Sequence, residues 1–165
     1  MSSLRPRVVY TAGVFDLLHS GHIQTLKQSR ALGDLLVVGV LTDLGAAAYK
    51  PKPPVYNEHA RLEIIRSLSF VDVALLQAGT DPSDNLRALV TLGMRPEIMT
   101  HGNDWTELRE GNETLSQLGV ELVLLQNIPN LSTSRVRARL EEEGRARVEV
   151  TFKEAEPDPL LKALP

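Results

Sequence analysis

Residues 11–22 read Thr-Ala-Gly-Val-Phe-Asp-Leu-Leu-His-Ser-Gly-His and connect an apolar run, Val8–Ala12, to the helical pattern of Gly21–Leu32. In parallel α/β sheets, ligands bind beyond the carboxyl ends of the strands, in the loops that lead into the following helices. The stretch therefore indicates both a type of fold and the place of a functional site.

β-rich runs alternate with amphipathic segments along the rest of the chain. The predicted strands are Val8–Ala12, Leu35–Leu41, Val71–Leu76, Glu97–His101 and Val120–Leu125, and the predicted helices are Gly21–Leu32, Glu58–Leu68, Pro82–Leu92 and Thr133–Glu143. Continuous runs of Val, Leu and Ile are typical of strands covered on both faces. The alternation predicts an α/β fold with a Rossmann-like, doubly wound parallel five-stranded sheet.

Composition limits the classes of function. The 165 residues suit one domain, which we expect over residues 1–144, with 145–165 as a C-terminal tail. A net charge of -3 argues against a nucleic-acid partner, and the absence of cysteine excludes a disulfide scaffold, a thiol nucleophile and Cys-ligated zinc. Met1–Arg7 lacks the apolar core of a signal peptide, and Leu35–Leu41, the longest apolar run, is far shorter than the roughly 20 residues of a membrane helix. We expect a cytoplasmic protein with no membrane partner.

Two histidines close residues 11–22. His19 and His22 are three apart near a helix start, so they project to a similar side, and the free N–H groups of that helix end favour an anion. Gly21 would let a phosphate approach the backbone, and Gly13 gives the strand end the same freedom. The pattern predicts a phosphate site with two imidazole donors, suited to in-line substitution at phosphorus. The alternative is that the histidines only cap the helix.

This stretch resembles the signature of the cytidylyltransferase family, which includes glycerol-3-phosphate cytidylyltransferase, and the likeness extends from Val8 to about Leu140. The wider superfamily also contains the ADP-heptose, pantetheine-phosphate and archaeal FAD-forming adenylyltransferases. The resemblance implies a fold of nucleotidylyltransferase type, in which His19 and His22 contact the nucleotide phosphates and stabilise the transition state. It also implies that four other loop residues bind the nucleotide, namely Gly13, Val14, Phe15 and Gly21.

The segment after the second predicted strand carries further basic residues. Prolines and an Ala run predict a mobile loop over Leu44–Pro54, whose lysines could close over bound phosphates. Family members carry basic residues here, before a helix with an arginine, and the resemblance implies phosphate-binding roles for Lys50, Lys52 and Arg61. The alternatives are surface lysines in a solvated loop, and an arginine that is exposed or pairs with Glu58 or Glu63.

Two later segments bear on the nucleotide, and they point in different directions. Gly102, Asn103, Asp104 and Trp105 follow a strand and are similar to the Gly-Asp-Asp-Trp of glycerol-3-phosphate cytidylyltransferases. Asn103 departs from that pattern by removing one negative charge, whereas Trp105 favours CTP. Ser132 and Thr133 open the last helix as in the family's Ile-Ser-Thr-Thr motif, either as caps or to hold the outer phosphates.

The residues before that last motif depart from the cytidylyltransferase pattern. Residues 127–130 read Asn-Ile-Pro-Asn, lack the arginine of Arg-Thr-Glu-Gly, and look more like the Pro-Gly-Tyr of heptose adenylyltransferases. Either Arg135 or Arg137 could supply the missing charge.

The expected reaction is attack by a phosphate monoester on the α-phosphorus of CTP, with release of pyrophosphate and Mg²⁺ bound with the nucleotide rather than in a protein metal site. The expected acceptor is a small glycerol-phosphate-like alcohol phosphate, and we expect Leu44–Tyr49 and Thr106–Thr114 to help shape its pocket. The alternatives are ATP with a sugar phosphate or FMN, a non-catalytic nucleotide sensor and, less well supported, a fragment of a class I tRNA synthetase. The resemblance also implies a homodimer.

Overall fold

The computed structural model describes residues 5–102, 111–126 and 133–143. The strands are β1 (Val8–Gly13), β2 (Leu35–Leu41), β3 (Val73–Gln77), β4 (Pro96–Gly102) and β5 (Glu121–Leu125). The helices are α1 (Ser20–Arg30), α2 (Asp43–Ala47), α3 (Glu58–Arg66), α4 (Ser83–Thr91), α5 (Asn112–Leu118) and α6 (Thr133–Glu143).

The strands form one parallel sheet in the order β3-β2-β1-β4-β5. From the central β1 the chain first adds strands on one side and then returns to add β4 and β5 on the other. The order therefore reverses between β1 and β4, which is where ligands bind in open α/β sheets. The predicted five-stranded, doubly wound parallel fold is confirmed.

Helices cover both faces of the sheet, and the alternation of side chains along β1 shows how. Val9 packs with Leu26 of α1 and with side chains of α3, whereas Val8 and Tyr10 pack with side chains of α4 and α5. Successive residues of a strand point to opposite faces, so a run that is apolar at every position needs a helical layer on each side. Both layers leave the carboxyl edge of the sheet open for loops.

The sequence predicted an irregular loop over Leu44–Pro54, but the segment between β2 and α3 is irregular only in part. Helix α2 occupies its start, because the Thr42 hydroxyl caps it by accepting the N–H of Gly45 at 3.0 Å, and because alanines favour helix. Its Gly45 lies against the backbone of Ala78 and Gly79, where a Cβ would overlap. The irregular part is therefore shorter than predicted and lies between two helix ends.

Most other predicted bounds differ from the observed ones by one or two residues, and α5 was not predicted. Val71 and Asp72 precede β3, and the carboxylate of Asp72 accepts the N–H of Leu36 at 2.7 Å, so these residues tie the strand start to its neighbour. Thr114, which we expected near an acceptor pocket, lies in α5 and bonds the hydroxyl of Ser83 in α4 at 2.8 Å. Of the helices in the described part of the chain, none is both long enough and apolar enough to cross a bilayer.

Candidate active site

The loop between β1 and α1 turns through two residues with left-handed backbone. Phe15 has φ 52° and Leu17 has φ 47°, a conformation that costs a non-glycine residue about 1–3 kcal/mol. The ring of Phe15 packs back over the strand end, and a Cβ on Gly13 would lie 3.0 Å from its Cζ. Gly13 therefore makes room for Phe15, a different reason for a glycine than the approach of a phosphate.

The two histidines lie face to face at the start of α1. Their ring centroids are 3.9 Å apart with planes 23° from parallel. His19 is also the N-cap, because its Nδ1 accepts the N–H of Gly21 at 3.1 Å. A ring nitrogen that accepts a hydrogen bond carries no proton, so the neutral ring has its proton on Nε2. Burial lowers the pKa of His19, which leaves a neutral ring with an Nε2–H donor.

His22 is the more perturbed of the pair. Burial, the neighbouring His19 ring and Lys50 together lower its pKa to about 4, against an opposing effect of Asp16. The edge of the Phe15 ring contacts it, with centroids 5.5 Å apart. Within the described residues, Nδ1 of His22 and Nε2 of His19 are buried without a hydrogen-bond partner. Buried polar atoms are rarely left in this state, so both rings have unused capacity to bind a ligand.

Asp16 connects this loop to two distant segments. Its buried carboxylate accepts the N–H groups of Val55, at 3.0 Å, and Tyr56, at 3.1 Å, and pairs with Nη2 of Arg137 at 2.7 Å. Burial raises the pKa of the carboxyl, but hydrogen bonds from Val55, Arg137 and Tyr56 lower it by a larger amount, so the net shift of the pKa is downward. Asp16 is therefore ionised. No role for Asp16 was predicted from the sequence.

A cavity of about 510 Å³ opens beside these residues, within the range of small-ligand sites. Its walls come from the β1–α1 loop, from the segment after α2 and from α6. The lining residues are Val14, Phe15, Asp16, His22, Tyr49, Lys50, Pro51, Lys52, Pro54, Arg137 and Ala138. Three cations, one carboxylate and neutral imidazole make the cavity net positive, which suits phosphate groups.

The lysines and Arg137 reach this cavity from exposed or partly exposed positions. Lys50 Nζ lies 5.1 Å from the centroid of the Tyr49 ring, within cation–π range. Nη2 of Arg137 also donates to the carbonyl of Pro53 at 2.7 Å, and its Nε is the third buried nitrogen without a partner among the described residues. Of the two arginines considered as replacements for the missing family arginine, it is Arg137 that lines the cavity.

Arg61 lies beneath the site and does not line the cavity. Its side chain is fully buried, and its nitrogens donate to Tyr56 O at 3.0 Å, to Val14 O at 2.6 Å and to the Asp43 carboxylate at 2.7 Å. Its partner is Asp43, not Glu58 or Glu63. The arginine therefore supports the cavity wall, in contrast to the direct phosphate contact expected from the sequence.

The other predicted nucleotide residues are only partly described. Gly21 uses its N–H for the contact with His19, and Gly102 ends β4 at the same sheet edge as Gly13 ends β1. Asn103, Asp104, Trp105 and Ser132 lie outside the described residues, as do residues 145–165. Thr133 is the first residue of α6, and its side chain also lies outside them.

A family model described as cytidylyltransferase-like matches residues 10–139. Bifunctional protein HldE from Methylobacillus flagellatus is 35% identical over 136 residues, which make up 81% of this chain and 27% of that relative. HldE from Citrifermentans bemidjiense is 38% identical over 132 residues, covering 79% and 26%. The chain thus spans about a quarter of the length of these curated relatives.

Solved structures share the fold. A lipopolysaccharide core biosynthesis protein from Thermoplasma volcanium aligns with a TM-score of 0.55 and 32% identity, over 75% of this chain and 98% of that one. TmcAL from Thermotoga maritima, bound with alpha-thio ATP, aligns with a TM-score of 0.57 over 84% of this chain and 51% of that one. At 13% identity, the second match shows a common fold alone.

Proposed function

The chain belongs to the cytidylyltransferase-like family as a nucleotidyltransferase domain, and we propose that it transfers a nucleotidyl group from a nucleoside triphosphate to a small phosphate monoester. The observation that carries this proposal is the stacked pair His19 and His22, with buried ring nitrogens unpaired among the described residues, beside a cavity that Lys50, Lys52 and Arg137 line.

In the proposed reaction, an acceptor phosphate oxygen forms a bond to the α-phosphorus while the bond to the β-phosphate bridge breaks and pyrophosphate leaves. The acceptor is already ionised at neutral pH, since the second pKa of a phosphate monoester is about 6, so the protein needs no activated nucleophile. His19 donates its Nε2–H to the α-phosphoryl oxygens, and His22 stabilises the same charge. Stabilisation of the transition-state charge by fixed donors is the main contribution of such a site to catalysis.

The cations of the cavity fit the remaining phosphates. Lys50 and Lys52 approach from the segment after α2, and Arg137 approaches from α6. We assign them to the outer phosphates of the nucleotide and to the acceptor phosphate. Arg61 acts indirectly, by holding the carbonyl groups of Val14 and Tyr56 behind the cavity. Gly102–Trp105, Ser132 and Thr133 remain proposed nucleotide contacts.

Magnesium fits this site as part of the metal–nucleotide complex. Across residues 5–102, 111–126 and 133–143, no group of three or more His, Asp or Glu side chains could hold a metal, whereas phosphate oxygens are preferred ligands of Mg²⁺. When bound with the nucleotide, Mg²⁺ would neutralise charge on the departing pyrophosphate, while Lys50, Lys52 and Arg137 face the phosphates from the protein side.

Two substrate pairs follow from the family and its members. CTP with a glycerol-phosphate-like alcohol phosphate is supported by the match to the cytidylyltransferase-like family and by the Trp at position 105. ATP with a sugar phosphate is supported by residues 127–130, which lack the cytidylyltransferase arginine, and by the 32% identity to a protein of lipopolysaccharide core biosynthesis, a sugar structure. The second pair has the more specific support. We also propose a homodimer, which light scattering would test.

The decisive experiment measures pyrophosphate release for CTP, ATP, GTP and UTP, each with a panel of alcohol and sugar phosphates. His19→Ala and His22→Ala should each lower kcat by about 10²–10³, while His59→Ala, which removes an exposed histidine, should leave turnover unchanged. Release with no combination, together with nucleotide binding, would identify a sensor instead. Near-normal turnover in either active-site variant would contradict the assigned role.

A further inference from the structure

Asp16 is an unexpected group at a site for anions. Its carboxylate lines the same cavity as Lys50, Lys52 and Arg137, and it is only 4% exposed. A negative charge at this place repels phosphates, so its presence here calls for a structural explanation. The groups that the carboxylate binds supply that explanation.

The carboxylate is where three parts of the chain meet. It belongs to the β1–α1 loop, it accepts two N–H groups at Val55 and Tyr56, and it pairs with Arg137 of α6. Arg137 extends the connection, because the same Nη2 donates to the carbonyl of Pro53. The partners are 39, 40 and 121 residues away in sequence, so no local structure would bring them together.

These contacts hold the segment that carries the cavity lysines. Lys50 and Lys52 lie between α2 and the Pro53–Tyr56 stretch that Asp16 and Arg137 bind, and both lysines are exposed. Exposed lysines have large rotamer and backbone freedom, and ordering them on a ligand costs affinity. A fixed anchor that begins one residue after Lys52 and three residues after Lys50 reduces that cost.

We propose that Asp16 is the positioning residue of this site: its carboxylate anchors residues 53–56 and Arg137 against the histidine loop, so that the cavity cations meet bound phosphates already arranged. This inference rests on the proposed function for its ligand, but it makes a claim about the ligand-free protein as well. In this role Asp16 acts through residues 53–56 and Arg137, and not directly on the reacting atoms.

The chain offers a matched control for a test by substitution. Asp72 has the same chemistry, since it accepts the backbone N–H of Leu36 and lies 3.5 Å from the guanidinium of Arg30. It stands just before β3, away from the carboxyl edge of the sheet. Asp16→Asn and Asp72→Asn therefore weaken interactions of the same kind, which are fewer and more exposed at Asp72. A merely structural role would lower the thermal stability of both variants and leave the ligand affinity of both unchanged.

The first measurement needs no ligand. Hydrogen exchange of the Val55 and Tyr56 amides should become about 10-fold faster or more in Asp16→Asn, because two hydrogen bonds to a charged acceptor are weakened, and should stay unchanged in Asp72→Asn. Equal exchange at these amides in wild type and Asp16→Asn would overturn the proposal, whether or not the protein turns over any substrate.

The second measurement is affinity for CTP and ATP by calorimetry, combined with kcat and KM. Asp16→Asn should weaken binding of the accepted nucleotide about 10-fold, and Lys52→Ala should then cost less in the Asp16→Asn background than in wild type. A Lys52→Ala effect of the same size in both backgrounds would overturn the coupling. If the wild type turns over substrate and Asp16→Asn has the same kcat and KM, this inference is refuted and the proposed reaction stands.

Discussion

The burial of His22 as a neutral ring predicts a specific loss of stability in mild acid. Its pKa in the folded protein is about 4, against an ordinary value of 6.5. Between these values the unfolded chain binds a proton at this position and the folded protein does not. The free energy of unfolding must therefore fall as pH is lowered from 6.5 towards 4, and it is unaffected by this residue above 7.

The size of the effect follows from the two values. The full interval corresponds to about 3 kcal/mol, at about 1.4 kcal/mol per pH unit. By linkage, His22 should remove roughly 1 kcal/mol at pH 5.5 and roughly 2–3 kcal/mol at pH 4.5, relative to pH 7.5. Those losses are a large part of the stability of a typical domain. His19, whose pKa burial also lowers, adds a loss of the same sign.

The assay is urea denaturation at a series of pH values for wild type and His22→Asn, which removes the titrating ring but keeps a polar side chain. Other groups titrate in both proteins, so the difference between their profiles reports His22. The variant should lose less stability than wild type between pH 7.5 and 4.5, and His59→Asn should follow the wild-type profile. Parallel profiles for wild type and His22→Asn would refute the buried, neutral state on which the proposed site depends.

Lys52 and Arg61 give two further tests with opposite signatures. Lys52→Ala should reduce kcat by about 10² and weaken nucleotide binding less, if the lysine acts after binding; stopped-flow turnover beside calorimetry would reveal equal losses if it is only a binding contact. Arg61→Met should lower the free energy of unfolding by about 1–3 kcal/mol, because it leaves the carbonyls of Val14 and Tyr56 and the Asp43 carboxylate without this donor. Urea denaturation measures this, and an unaltered unfolding midpoint with lost activity would favour the direct phosphate role instead.

The fold followed from local patterns because each pattern had one structural solution. Apolar runs such as Leu35–Leu41 are stable only between two helical layers, and strand–helix alternation then requires parallel order. The short helix α2 was missed because its capping residue, Thr42, follows a strand directly and its length gives no periodicity. A helix of five residues is stabilised by its cap and by the segments that it packs against, and the periodicity of the sequence reveals neither.

The site was predictable where one segment supplied both the residues and their geometry. His19 and His22 share a helix turn, so their spacing alone places them together. Asp16 and Arg61 depend on partners that are between 5 and 121 residues away, and their types do not reveal those partners. Arg61 illustrates the difference: a basic residue in a phosphate-binding family was expected to bind phosphate, but full burial assigns its charge to Asp43.

Capping of the helix and binding of a phosphate stood as alternative explanations of His19, and the geometry removes the conflict between them. A cap needs an acceptor, and a phosphate needs a donor. A neutral imidazole has one nitrogen of each kind, and the N–H of Gly21 selects Nδ1 as the acceptor. The other nitrogen must then carry the proton and point away from the helix end. The cap therefore fixes the tautomer that a phosphate requires, and an asparagine in place of His19 could supply the first function but would lose this second donor.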